Sequence, residues 1–170
     1  MPPDRPLVLL VDNNADNREM YAEYLRICGF RVIACSDSHA SLDYARACVP
    51  DIILLELRMN RMNGVEVLAQ LRKEPSLGHV PVVALTASVL SFERAAAMAA
   101  GFTELLPKPC FPEDLANAIM RIIAAAEGSP QPHRRLRLGQ AAESPPPLDA
   151  AACDRDLDRI AALTTRSISS

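Results

Sequence analysis

The sequence predicts an α/β fold: a doubly wound, five-stranded parallel sheet with five helices. Five short apolar runs alternate with five helix-length segments, which is the order of consecutive β-α units. The runs are continuously hydrophobic rather than alternating, as expected of strands that helices cover on both faces. All seven aromatic residues precede residue 112, whereas five of the 14 prolines follow residue 127. The packed core is therefore expected within residues 7–126.

The predicted strands are short runs dominated by Val, Ile and Leu, residue types that pack well on a sheet. In chain order they are residues 7–11, 31–35, 52–55, 82–85 and a weaker fifth run, 103–106.

Each helical segment has apolar residues at helical spacing, and most have a residue that suits one end. Gly29 and Gly101 are stop signals for the first and fourth helices, Asp37 or Ser38 can cap the second, and Pro112 suits the first turn of the fifth. The expected apolar faces are Met20, Tyr21, Tyr24, Leu25 and Cys28 in the first helix, Ala40, Tyr44 and Cys48 in the second, Val65, Leu68 and Leu71 in the third, and Leu115, Ile119, Ile122 and Ile123 in the fifth.

Composition excludes several classes of protein. No apolar run approaches the ~20 residues that span a bilayer, and the start of the chain lacks the apolar segment of a secretory signal. We therefore expect a cytoplasmic location and no membrane partner. A net charge of −3 gives no basic surface for nucleic acid. The five cysteines are scattered without CxxC spacing, which disfavours a disulfide framework or a zinc site and predicts that most are buried.

The two ends of the chain differ in composition from residues 7–126. Residues 1–6 are expected to be a short extension. Residues 127–170 are rich in proline, which predicts a linker and a tail that cannot build a core. Within the tail, residues 149–163 have the spacing of one amphipathic helix, although a helix this short is marginal in isolation. We expect disorder in this tail, with docking on the domain or on a partner as the alternative.

Polar residues follow four of the predicted strands. Asp12 and Asn13 follow the first strand, Glu56 the third, Thr86 the fourth and Lys108 the fifth. The carboxyl ends of parallel strands lie at one edge of the sheet, where doubly wound folds place their ligands. Two carboxylates, an amide, a hydroxyl and an ammonium are therefore expected to converge in one crevice.

Five motifs in this order resemble the signature of response regulator receiver domains. They are residues 10–14, 51–59, 62–64, 83–87 and 108–109, and the resemblance covers roughly residues 6–126. It implies the receiver fold with strand order 2-1-3-4-5. It also implies two-component or phosphorelay signalling, in which a sensor histidine kinase donates a phosphoryl group to an aspartate at the end of the third strand.

The resemblance also implies a role for each matching position. Mg²⁺ would be held by the acceptor, by the first loop and by a backbone carbonyl two residues beyond the acceptor, which correspond to Glu56, to Asp12 with Asn13, and to Arg58. The phosphoryl-binding and switch positions correspond to Thr86, Ala87, Leu105, Lys108 and Pro109. The Lys108–Pro109 bond is expected to be cis, which would aim the lysine into the pocket.

The sequence departs from the family pattern at its centre. Glu56 stands at the position of the acceptor aspartate, Asn13 where an acidic residue usually touches the metal, Leu105 where a Tyr or Phe is frequent, and Asn60 where a proline is common. The pocket has one carboxylate fewer, which weakens its attraction for Mg²⁺. The longer Glu56 side chain also moves its carboxylate into the space of the phosphoryl group, and an error of ~1 Å can cost ~100-fold in rate.

These departures predict a pseudo-receiver whose output does not depend on aspartyl phosphorylation. Its Mg²⁺ binding would be weak, and Glu56 could reach Lys108 or Thr86 in place of a phosphoryl group. The alternative is a receiver that retains phosphodonor- or Mg²⁺-dependent switching. A flavodoxin-like phosphate-handling enzyme is a remote alternative, because the first loop has no glycine to approach phosphates. We therefore do not expect an enzyme.

The expected partners are proteins: a sensor histidine kinase or another signalling protein. The 44 residues from 127 to 170 contain no helix-turn-helix pattern, so a stand-alone module is expected rather than a DNA-binding factor. By resemblance, the contact surface is the face of the fourth helix, fifth strand and fifth helix, which would also form any weak homodimer of an otherwise monomeric chain. Phe92, Met98 and Phe111 are candidate contacts there, although Phe111 could instead belong to the core.

Overall fold

The computed structural model describes residues 5–87 and 90–128, in which five strands alternate with five helices. The predicted tail, including residues 149–163, lies outside the described residues. In chain order the elements are β1 (Leu7–Val11), α1 (Ala15–Ile27), β2 (Arg31–Cys35), α2 (Ser38–Cys48), β3 (Ile52–Glu56), α3 (Gly64–Lys73), β4 (Val82–Thr86), α4 (Ser91–Ala100), β5 (Glu104–Pro107) and α5 (Pro112–Glu127). Among these residues, no helix is both long and apolar enough to cross a membrane.

All strand pairs are parallel, and the strand order is β2-β1-β3-β4-β5. The predicted fold class and strand order are confirmed. The chain moves outward from β1 to β2 and then returns to β3 on the other side of β1. This reversal makes the carboxyl ends of β1 and β3 the switch point, where a doubly wound sheet forms a crevice. The register pairs Val11 with Leu55, so the residues that follow them are neighbours.

Two apolar layers sandwich the sheet. On one face, Leu9, Leu55 and Ala84 pack with the buried residues of α2, α3 and α4. On the other face, Leu10 and Leu54 pack with those of α1 and α5. Successive strand residues thus enter opposite layers, which explains the continuous apolar runs. Burying one such side chain stabilises the fold by roughly 1.5–3 kcal/mol.

The strands deviate from their predicted bounds in ways that affect the site. Glu56 and Thr86 are the last residues of β3 and β4 rather than the first residues after them. β5 begins one residue later than predicted and includes Pro107. β2 is not continuously buried, since Arg31 and Ala34 are exposed at the edge of the sheet.

Three helices turn a somewhat different face to the sheet than predicted. In α1, Tyr21, Ala22 and Leu25 are buried, whereas Met20 and Cys28 are exposed. α2 buries Ser38, Ser41, Leu42 and Ala45, while the predicted Ala40, Tyr44 and Cys48 are only half-buried. α3 buries Val67 rather than Val65. The apolar pattern misleads here because small residues such as Ala22, Ser41 and Ala45 are buried although they contribute little to an apolar pattern. In α5 the predicted face is buried, with Ile123 half-buried at its border.

The prediction that most cysteines are buried is wrong for the described residues. Cys35 in β2 is buried, but Cys28 is exposed and Cys48 and Cys110 are half-buried. Cys28 and Cys48 lie at the ends of α1 and α2, where the chain turns away from the core.

Candidate functional site

The first loop places Asp12 at the switch point and fixes its carboxylate. Asp12 is fully buried, and its backbone N–H donates to the carbonyl of Cys35 at 3.0 Å. Its Oδ1 accepts the N–H of Asn14 at 2.9 Å, and Arg18 donates to its backbone carbonyl at 2.8 Å. Asn14 in turn caps α1 by accepting the N–H of Asn17. The loop therefore fixes Oδ1 of Asp12 through a backbone hydrogen bond and leaves Oδ2 facing the crevice.

Glu56 presents the second carboxylate from the end of β3. Its side chain is only 8% exposed, and its Oε1 accepts the backbone N–H of Arg58 at 3.0 Å. The side chain thus folds back on its own loop, and Oε2 remains to face the crevice.

The loop after Glu56 is held against the strand by Gly64. The N–H of Gly64 donates to the carbonyl of Leu57 at 2.9 Å. A Cβ at this position would lie 2.8 Å from the carbonyl oxygen of Glu56, closer than real Cβ contacts. Asn63 starts α3 through a capping box with Glu66. Within the 62–64 motif, Asn63 therefore caps α3, and Gly64 lets the backbone pass close to the end of β3, which only glycine allows.

Thr86 and Lys108 complete this edge of the sheet. Thr86 is buried, and its backbone carbonyl accepts the N–H of Lys108 at 2.8 Å. The Lys108–Pro109 peptide bond is cis, as the family resemblance implies.

The ammonium of Lys108 bridges the two carboxylates. Its Nζ donates to Asp12 Oδ2 at 2.6 Å and to Glu56 Oε2 at 2.5 Å. The side chain of Lys108 is only 12% exposed, so both contacts are shielded from water. The predicted contact between Glu56 and Lys108 is therefore present, and the three side chains carry a net charge of −1.

The environment of Lys108 favours its charged form. Burial alone would lower the pKa of the ammonium, but hydrogen bonds to Asp12 and Glu56 and the negative charges of both carboxylates act in the opposite direction. The balance raises the pKa of Lys108 above its ordinary value of 10.5. Lys108 is therefore a permanent cation at neutral pH.

Tyr21 supports the site in a way that sequence reasoning did not identify. Its ring is buried on the α1 face, and its hydroxyl donates to the carbonyl of Cys110 at 3.0 Å. Burial is the main cause that raises the pKa of the Tyr21 phenol, and the nearby Cys110 raises it further. The bond ties α1 to the segment that follows Lys108 and Pro109. The available signal was that a buried tyrosine hydroxyl needs a hydrogen-bond partner.

Other site residues named from the sequence lie outside this cluster of contacts. Asn13 and Ala87 are exposed. Leu105 is buried in the layer formed with α2, α3 and α4. Arg58 contributes its backbone N–H to Glu56, while its side chain reaches Glu93 on α4 at 3.5 Å.

The residues do not fit a Mg²⁺ ion while Lys108 occupies this position. Mg²⁺ requires near-octahedral oxygen ligands at about 2.0–2.1 Å. The oxygens of Asp12 and Glu56 that face the crevice, Oδ2 and Oε2, are both in contact with the Lys108 ammonium. A divalent ion about 4 Å from an ammonium would be repelled by about 8 kcal/mol at an effective dielectric of about 20. The exposed Asn13 supplies no charge to offset this repulsion.

A second feature is the apolar surface around α4 and β5. A groove of about 370 Å³ there is lined by Arg94, Ala95, Met98, Thr103, Glu104 and Leu105. Phe92 is 68% exposed and Met98 50% exposed, as the sequence predicts. Phe111 is 77% exposed, so the alternative that it belongs to the core is wrong. We call the groove and the exposed side chains of α4 and its N-cap, Leu90, Phe92 and Met98, the α4–β5 patch.

Comparison with known proteins gives a consistent result. Residues 8–120 match the family model described as the response regulator receiver domain. DivK, a polar-differentiation response regulator of Brucella anthropi, is 28% identical over 102 residues, or 60% of this chain and 83% of DivK. The hybrid signal transduction histidine kinase D of Dictyostelium discoideum is 28% identical over 120 residues, or 71% of this chain but only 8% of that kinase.

Solved structures share the fold. The chemotaxis protein CheY4 of Vibrio cholerae superposes with a TM-score of 0.67 at 27% identity, covering 69% of this chain and 98% of CheY4. The receiver domain of a sensor histidine kinase of Pseudomonas aeruginosa superposes with a TM-score of 0.66 at 28% identity, covering 71% of this chain and 98% of that domain. That structure has a magnesium ion coordinated in its active-site cleft.

Proposed function

The chain belongs to the response regulator receiver domain family of two-component signalling, and from this premise we propose that it is an atypical receiver that signals without phosphorylation of Glu56. The observation that carries the proposal is the bridge from Lys108 to both Glu56 and Asp12. Receiver domains interact with histidine kinases and other signalling proteins. In this one, the output would come from protein contacts alone.

The chemistry of the pocket supports this proposal. Phosphoryl transfer depends on positioning and on groups that neutralise the charge of the transferred group. In this chain the Lys108 ammonium and the Arg58 N–H are already bonded to the two oxygens of Glu56. An incoming phosphoryl group would have to displace contacts that the glutamate makes for itself.

The role we assign to Glu56 is that of a fixed substitute for a phosphorylated acceptor. Its carboxylate lies one methylene further out than that of an aspartate and meets Lys108 directly. The carboxylate belongs to the side chain itself, so the arrangement of the crevice would not depend on a donor.

A phosphodonor experiment tests the proposal. The purified chain is incubated with acetyl phosphate and Mg²⁺, and adducts are detected by intact mass and by release with hydroxylamine. We expect no adduct on the wild type and an adduct on the Glu56→Asp, Asn13→Asp double variant. The matched control is Glu56→Gln with Asn13→Asp, which lacks an acceptor carboxylate at this position. A stoichiometric, hydroxylamine-labile adduct on the wild type would contradict the proposal.

That last outcome would instead support a receiver with donor-dependent switching. This second candidate is favoured by Thr86 and Lys108, which match the family pattern. We rank this candidate second because both carboxylate oxygens of Glu56 already accept hydrogen bonds within the protein.

The α4–β5 patch is the surface we propose for partner binding. Exposed aromatic and methionine side chains are enriched at protein interfaces; Phe92 is exposed on α4, and Met98 lines a groove together with Arg94 and Glu104. A histidine kinase or another signalling protein is the partner expected there. The stand-alone organisation, the cytoplasmic location and the use of this face in a weak homodimer stay predictions.

A further inference from the structure

We propose that Lys108 is the resident cation of the acidic pocket and excludes divalent metal ions from it. This inference deepens the proposed function and rests on its assignment of Glu56 as a fixed ligand of Lys108. It makes this receiver independent of Mg²⁺ because of one of its own side chains.

The hydrogen-bond pattern of the two carboxylates carries the inference. Each carboxylate is divided in the same way: Asp12 Oδ1 and Glu56 Oε1 accept backbone N–H groups of their own loops, and Asp12 Oδ2 and Glu56 Oε2 accept Lys108. The ammonium thus lies between the two carboxylate oxygens that face the crevice, where Asp12 and Glu56 would contribute to holding a metal ion. A divalent ion and Lys108 compete for the same two atoms.

The surroundings keep Lys108 in this position. Its backbone is tied to β4 through the carbonyl of Thr86 at 2.8 Å. If the ammonium left for solvent, two buried carboxylates would lose their shared counter-ion. Asn13 is neutral and exposed, so the first loop provides no third carboxylate that would favour a divalent ion over the lysine.

The chain offers a matched pair of variants, because Lys73 and Lys108 are its only lysines. Lys73 lies exposed in the last turn of α3. Lys108→Met keeps an unbranched side chain and removes the ammonium from the carboxylates, whereas Lys73→Met removes an exposed charge. We expect Lys108→Met to bind Mg²⁺ at least about tenfold more tightly than the wild type, as the loss of a nearby like charge requires.

The experiment is a calorimetric titration of the full chain with MgCl₂ at neutral pH. We expect no saturable binding by the wild type or by Lys73→Met in the millimolar range, and saturable binding by Lys108→Met. Binding by the wild type that equals that of Lys108→Met overturns the inference. Failure of folded Lys108→Met to gain binding also overturns it, because the lysine would then not be what excludes the metal.

A second measurement uses the wild type alone and does not depend on the folding of a variant. The two lysines give two side-chain ammonium environments, which NMR of a chain labelled only at lysine can follow during a titration with MnCl₂. We expect the Lys108 signal to persist unbroadened in millimolar Mn²⁺. Selective broadening of the Lys108 signal would place a paramagnetic ion beside it and overturn the inference.

The two proposals fail in distinguishable ways. Mg²⁺ binding by the wild type without a phosphoryl adduct overturns only the metal exclusion. A phosphoryl adduct on the wild type overturns the proposed function, on which this inference rests.

Discussion

The pocket at the switch point and the α4–β5 patch differ in whether their side chains already have partners within the protein. In the pocket, Asp12 and Glu56 are buried, and both are bonded to Lys108. In the patch, Phe92 and Met98 expose most or half of their surface to solvent. The charged side chains of the pocket bind one another, whereas the apolar side chains of the patch remain available to a partner. This difference is consistent with the proposal that the chain acts by binding rather than by group transfer.

The largest expected effect comes from breaking the pocket. Lys108→Met leaves Asp12 and Glu56 without their common counter-ion, and removal of one partner of a buried ion pair costs about 3–5 kcal/mol. Urea denaturation followed by circular dichroism measures the free energy of unfolding. Lys73→Met is the control and should stay within about 0.5 kcal/mol of the wild type. A loss below about 1 kcal/mol for Lys108→Met would show that the bridge is not a structural element.

A smaller effect is expected from the loop that positions Glu56. Gly64→Ala puts a Cβ against the backbone of β3, and the resulting shift should cost about 1–3 kcal/mol in the same denaturation experiment. Gly78→Ala is the control, since the nearest atom to its new Cβ is 3.6 Å away. Equal effects at the two glycines would contradict the close approach at Gly64.

The pH dependence of stability sharpens the same side of the comparison. Because the folded pKa of Lys108 is raised, the native state holds this proton more tightly than the unfolded chain. Its contribution is fully present below the unfolded pKa of about 10.5 and is lost as pH rises through the higher folded pKa. The wild type should therefore lose stability above pH ~10.5 more steeply than Lys108→Met, as measured by thermal unfolding at several pH values. Parallel profiles would contradict the raised pKa.

The smallest effect is expected in the patch. Phe92→Ala should change the free energy of unfolding by no more than about 0.5 kcal/mol, because the ring is largely exposed. Phe102→Ala is the matched control: that ring is only 3% exposed and its loss should cost about 3–5 kcal/mol. A large loss from Phe92→Ala would mean that the patch is part of the core.

The fold was predictable because its signal is local and repeated. The alternation of apolar runs and helical segments gives the strands almost to the residue, and β1 and β2 have the predicted bounds. The buried faces of the helices were less predictable. Ala22 and Ser41 are buried, but such small side chains stand out little in the apolar spacing from which the faces were predicted. Their role depends on how closely two elements approach.

The sequence predicted that Asp12, Glu56 and Lys108 come together, but not all of the bonds around them. The contact of Glu56 with Lys108 follows from side-chain length and opposite charge. The bond from Tyr21 to Cys110 joins residues 89 positions apart, and the approach of Gly64 to Glu56 depends on the path of a loop. The sequence marks Tyr21 as a candidate for a buried hydrogen bond and Gly64 as part of a motif, but it does not identify the partner of either residue.

Arg58 touches both regions: its backbone N–H reaches Glu56 and its guanidinium reaches Glu93 on α4. The outer half of this connection is an exposed ion pair at 3.5 Å, with 70% of the arginine side chain accessible, and such pairs contribute at most about 1 kcal/mol. This ion pair can therefore transmit at most about 1 kcal/mol from the pocket to α4. We therefore expect the conformation of the α4–β5 patch to be the same whatever the state of the pocket, so that partners bind one fixed surface.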